Sequence, residues 1–285
     1  MNLTQLCLSR RSIAVATVLI GTVSLAIGAH AALSIRSLDA TKAVGTEQPV
    51  VTTAKSSARL ALVIGNSHYP DANEPLAQPI NDARALGVAL SHDGFDVDVV
   101  EDSTRDDMTR AVARLKSKIR HDSVVLLFFG GYGVQAGHED YMIPVDAKIW
   151  KERDVRRDGV SVESVLDMMK EQGARAKLAV VDASRRNPYE RRFRAYSHGL
   201  APINAPDNAL ILSSATPGKV ADDSKGADSV LVSELLNRLN TGGAEAVFNQ
   251  TSVAIARASE GEQVPSVSSS LAEDIRLGAT ENAGS

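Results

Sequence analysis

Short, wholly apolar runs separated by amphipathic segments of helical spacing constrain this chain more than any other feature. "LALVIGN" (residues 60–66), "SVVLLFFGG" (123–131), "KLAVVDAS" (177–184) and "NALILSSA" (208–215) are continuous apolar stretches closed by small or polar residues. That pattern predicts strands buried on both faces. "FDVDVV" alternates, as a half-buried strand does, and "DYMIPVDA" reads as a short strand stopped by Pro144. Between them, Ile80, Ala83, Leu86 and Leu90 recur at helical spacing, as do Met108, Val112, Leu115 and Ile119, and Val162, Val165, Leu166 and Met169. Residues 229–239 and 244–259 also read as helices. Strands alternating with helices predict an α/β domain with a mainly parallel sheet and helices on both faces. In such sheets ligands gather at the carboxyl ends of the strands. Four of those ends carry unusual residues, "GNSHY", "FFGGYGVQ", "VVDASRRN" and "SSATPGK".

The first 31 residues read differently. Arg10 and Arg11 precede an uncharged, largely apolar run over residues 12–29, and Ala29-His30-Ala31 matches a small-x-small cleavage site. "SRRSIAV" also resembles a twin-arginine export signal. Residues 1–31 are therefore expected to be a signal peptide, with an uncleaved amino-terminal anchor as the alternative. Either way the domain is expected to be exported, to the periplasm or tethered at the membrane. Residues 32–57, rich in Thr, Ser and Ala without periodicity, read as a flexible linker, residues 58–278 as the domain, and 279–285 as a polar tail.

Removing Arg10 and Arg11 from the 31 Lys and Arg leaves 29 against 35 Asp and Glu, a net charge of −6. That acidic balance argues against a nucleic-acid partner. The single cysteine, Cys7, precedes the apolar run. Beyond the leader no thiol is available for catalysis, disulfides or metal ligation.

The segments "LALVIGNSHYPD…LAQPINDARALGVAL", "VVLLFFGGYGVQAGHEDYMIPVDA", "LAVVDASRRNPYERRF", "HGLAPINAPDNALILSSATPGKVADD" and "EGEQVPSVSSSLAEDIRLG" occur in an order and spacing that resemble bacterial caspase-like proteases, the metacaspase relatives. The resemblance runs from about Arg59 to Leu277. It implies the caspase–haemoglobinase fold and a His-Cys catalytic dyad. In that family a histidine stands where this chain has Tyr132, and a cysteine where it has Ser184. Caspases separate the two by about 50 residues, and Tyr132 and Ser184 are 52 apart. The frame is kept and both dyad residues are replaced.

The chemistry of the replacements points away from proteolysis. A cysteine works through a thiolate accessible near neutral pH, whereas a serine hydroxyl needs a positioned base. Histidine accepts and returns a proton near neutrality, while tyrosine, with a reference pKa near 10, is a donor. The expected function is that of a pseudoprotease acting by peptide or protein binding. The alternative is an endopeptidase cutting after Arg or Lys, with Ser184 served by a base from elsewhere. His68, just past the first strand, is the candidate base, and His138 in "QAGHEDY" is a second. The resemblance also implies that Asp182, two residues before the nucleophile position, helps form a pocket for Arg or Lys side chains; a turn-capping role is the structural alternative.

The loop "SRRNPYERRFRAYSHG" is strongly basic, and Arg191, Arg192 and Arg194 could meet an anionic membrane surface, though a solvated loop is the simpler reading. "GGYG" lacks the lysine of a phosphate loop, and "EDSTRDD" lacks calcium-loop spacing. No cofactor and no metal site are expected.

Overall fold

In a computed structural model the described residues are 57–70, 75–183, 200, 203–214, 226–261 and 263–278. Ser184, the arginine loop with Arg191, Arg192 and Arg194, the amino-terminal 56 residues and the tail 279–285 lie outside them.

The apolar runs form the expected strands. A six-stranded sheet has the order β2-β1-β3-β7-β8-β9. Its strands are β1 (Arg59–Gly65), β2 (Asp96–Glu101), β3 (Val124–Gly130), β7 (Ala176–Asp182), β8 (Ala209–Ser213) and β9 (Ser266–Ser269). The first five run parallel; β9 pairs antiparallel with β8 at one edge. Strands β1, β3, β7 and β8 are buried almost throughout, so the period of two shows in what each side chain touches. Ala61, Val63, Leu126, Phe128, Leu178 and Val180 enter one core layer, and Leu62, Ile64, Leu127, Phe129, Ala179 and Val181 enter the other. The first layer is covered by α1 (Pro79–His92), α5 (Val230–Leu236) and α6 (Ala244–Ala258), the second by α2 (Arg105–Lys118) and α4 (Val162–Glu171).

Helix boundaries follow local chemistry. Pro79 opens α1, where its missing N–H costs nothing. Thr104 caps α2 in a capping box with Asp107, and Ser161 and Ser229 cap α4 and α5.

Two features add to the expected mainly parallel sheet. A second, antiparallel sheet of β4 (Gly133–Ala136), β5 (Glu139–Met142) and β6 (Val160–Ser161) follows β3, with the short helix α3 (Glu152–Asp158) beside it. It closes a third apolar cluster containing Tyr69, Tyr132, Ile143, Ile149 and Val155. β9 also escapes a reading by periodicity, because "SVSS" carries one apolar residue.

Candidate functional site

The strand order brings "GNSHY", "GGYG" and "VVDA" to one edge. Gly65 is in register with Gly130, and Gly130 with Asp182. The Gly131 amide donates to the Asp182 carbonyl at 3.2 Å, joining the ends of β3 and β7. A side chain at Gly133 would strike Ala183 and Leu200, which lie 2.7 and 2.9 Å from the place a Cβ would take. The glycine after Tyr132 thus lets both ends of the arginine loop, Ala183 and Leu200, pack against β4.

Tyr132 is 6% exposed and its ring belongs to the third apolar cluster. The ring lies 4.5 Å from that of Tyr69, tilted by 57°. The Tyr132 amide donates to the Tyr69 hydroxyl at 3.1 Å, that hydroxyl donates to the Ile143 carbonyl at 2.9 Å, and the Ile143 amide donates back to the Tyr132 carbonyl at 3.0 Å. The Tyr132 ring thus packs into the apolar cluster beside the small sheet.

Asp182 ends β7 and is 3% exposed. Its strand neighbours Leu178 and Val180 pack toward α1, α5 and α6, and alternation places Asp182 on that same face. Asp82, in the first turn of α1, is fully buried on this face and accepts from the Ser229 amide at 2.7 Å. Two carboxylates therefore share one side of the sheet, beside the amino-terminal ends of α1 and α5. Sequence reasoning missed Asp82; "PINDA" at a helix start was the available signal.

His68 is held firmly, but toward the other side. Its Nδ1 lies 2.6 Å from Asp102 Oδ2, and Asp102 Oδ1 accepts the Ser67 and His68 amides at 2.8 and 2.9 Å. A carboxylate on Nδ1 leaves Nε2 outward, as in an oriented general base. Asp102, however, follows β2, three strand positions from β7. At about 4.8 Å per strand that places it on the order of 14 Å from the end of β7. His138 is exposed at the turn between β4 and β5. His92 and His121 precede β2 and β3, at the amino edge of the sheet.

Burial pushes the Asp102 carboxyl up, yet the His68 and Ser67 amides and the His68 ring outweigh it and hold the group below the usual carboxylate range. A depressed carboxylate contributes stability above its unfolded pKa, near 3.8, which disappears as pH falls through the lower folded value. Protection of the Ser67 and His68 amides from exchange, relative to the unfolded chain at the same pH, should therefore fall on acidification below about pH 4. In Asp102→Asn that protection should already be lower at neutral pH and respond less to acid. An unchanged exchange profile in that variant would show that the carboxylate does not hold this turn.

Comparison with curated proteins gave no match. Among solved structures, a crystal structure of a Geobacter sulfurreducens protein shares the fold at a TM-score of 0.53 and 15% identity, covering 74% of this chain and 92% of that one. The family model of the caspase domain matches residues 58–276. With the mainly parallel six-stranded sheet and the opposed ends of β3 and β7, that match establishes that the chain belongs to the caspase-domain family.

Proposed function

We propose that this is an exported, non-catalytic caspase-domain protein that binds a peptide or protein segment through a basic side chain at the carboxyl edge of the sheet. The observation that carries the reading is the placement of Tyr132. Its ring is packed against Tyr69 inside the apolar cluster, and a phenol of high pKa is no base for a serine hydroxyl at neutral pH. Asp182 meanwhile keeps a carboxylate at the strand end, on the face it shares with Asp82, where a guanidinium can be paired away from bulk water.

The test compares three proteins. The unmodified protein should bind Arg-containing peptides without cleaving them above the level of Ser184→Ala. Asp182→Asn should weaken that binding at least tenfold, since removing one partner of a desolvated charge pair costs about 2–5 kcal/mol. Ser184→Ala should bind as the parent does. Full affinity in Asp182→Asn would remove that carboxylate from the site.

One observation favours the hydrolase reading, the Asp102-oriented His68. Activation of Ser184 by His68 requires the ring to leave Asp102 and swing toward β7. Turnover that disappears in both Ser184→Ala and His68→Ala would establish that alternative.

A further inference from the structure

We propose that the turn carrying Trp150 is a contact site for an anionic lipid surface. Trp150 is the only tryptophan of the chain, and it is 62% exposed. Its exposure is built into the turn. The preceding Ile149 and the following Val155 are both buried in the apolar cluster beneath. The Trp150 and Lys151 amides both donate to Asp154 Oδ2, at 3.1 and 3.0 Å. The backbone is thereby pinned with the indole facing outward.

The charges around the indole are sorted by sign. Lys148, Lys151 and Arg153 are all exposed, Arg153 with its Nε 3.9 Å from Asp154 Oδ1. The acids of the same segment are engaged within it or by its neighbours. Glu152 pairs with Arg156 at 2.9 Å, Asp154 with Arg157 at 2.9 Å, and Asp158 with Arg157 at 2.6 Å. Asp146 accepts the Arg105 amide at 2.9 Å. On the flank of the turn, Arg105, Lys148 and Arg157 line a cavity of about 250 Å³ with Asp146 and Asp158. An exposed indole flanked in the chain by exposed Lys148, Lys151 and Arg153 suits the headgroup layer of an anionic bilayer, where the ring lies at the apolar boundary and the ammonium and guanidinium groups meet phosphates.

The sequence adds a reason for lipid over an acidic protein. If the apolar run over residues 12–29 stays in the membrane, only residues 30–57 separate it from the domain in the chain. A domain joined to a membrane segment through so short a stretch needs only a weak surface contact to sit on the bilayer.

The single tryptophan makes the test local. The full chain is mixed with vesicles of phosphatidylcholine alone, or of phosphatidylcholine with phosphatidylglycerol, and tryptophan emission is recorded. Emission should shift to the blue and be quenched by brominated lipid only with phosphatidylglycerol, and high salt should reverse the shift. Each cation removed in Lys148→Gln, Lys151→Gln or Arg153→Gln should lower the vesicle partition constant read from the tryptophan signal about fivefold. Circular dichroism on each variant confirms that it is folded. Unchanged emission on anionic vesicles overturns the proposal. So does an equal shift on neutral vesicles, which would reflect the apolar leader alone. A shift with polyglutamate but not with vesicles overturns it in favour of an acidic protein partner.

Discussion

Alanine at Gly65 should unfold the domain under conditions where alanine at Gly130 leaves it intact. The two glycines are register partners at the carboxyl ends of β1 and β3, and from sequence they look equivalent. A Cβ at Gly65 would stand 2.3 Å from the Pro79 carbonyl oxygen and 2.8 Å from Ala83 Cβ. Both belong to α1, and the nearer atom is backbone, which cannot rotate away. Relief requires the start of α1 to lift from the sheet, and with it Asp82 and its bond to the Ser229 amide. Overpacking of this kind costs about 1–3 kcal/mol and more where backbone must move, against a total stability of about 5–15 kcal/mol. We expect about 3–5 kcal/mol for Gly65→Ala, in the range kept for steric and backbone lesions. At Gly130 the nearest atoms lie 3.4 Å away, at the tight edge of ordinary contact. Gly130→Ala should stay within about 1 kcal/mol of the parent, helped by the lower entropy of its unfolded chain. Denaturant midpoints of the two variants decide the matter, and equal midpoints would show that α1 does not press on β1 as described.

The second large effect is expected at Asn66, which is fully buried. Its Oδ1 accepts both the Ser103 amide and the Ser103 hydroxyl at 2.8 Å, and its Nδ2 donates to the Ile143 carbonyl at 3.2 Å. One side chain thus ties the end of β1 to the residue before the α2 cap and to the segment after β5. In Asn66→Ala the Ile143 carbonyl still has the Tyr69 hydroxyl, but both Ser103 donors lose their acceptor. A buried polar group left unpaired costs about 1–3 kcal/mol, so the variant should lose about 2–5 kcal/mol. Ser103→Ala removes one donor and leaves the amide bond in place, and should cost about 1 kcal/mol. Equal losses in the two variants would mean that only the hydroxyl matters. Because Asn66 precedes Ser67, His68 and Tyr69, its removal should also loosen the support beneath Tyr132.

Much of the fold was legible in the sequence. Wholly apolar runs announced strands covered on both faces, and their alternation with helical patterns announced parallel crossovers. Of the small antiparallel sheet only β5 was legible, within "DYMIPVDA"; "GVQA" is too short for periodicity to separate from loop. β9 escaped because an edge strand needs no apolar pattern. At the site, Tyr132 and Asp182 could be singled out along the chain. Asp82, which shares the face of Asp182, and Asp102, which holds His68 on the β2 side, could not, since each lies on a different crossover.

From the sequence alone follow the α/β class and the buried strands, because burial is written locally in the apolar runs. Tertiary structure alone decided that the Tyr132 ring packs under Tyr69, that Asp82 shares a face with Asp182, and that His68 is tied to Asp102 on the β2 side. Those relations depend on strand order, and strand order is set by which way each crossover turns, a property that no spacing along the chain records.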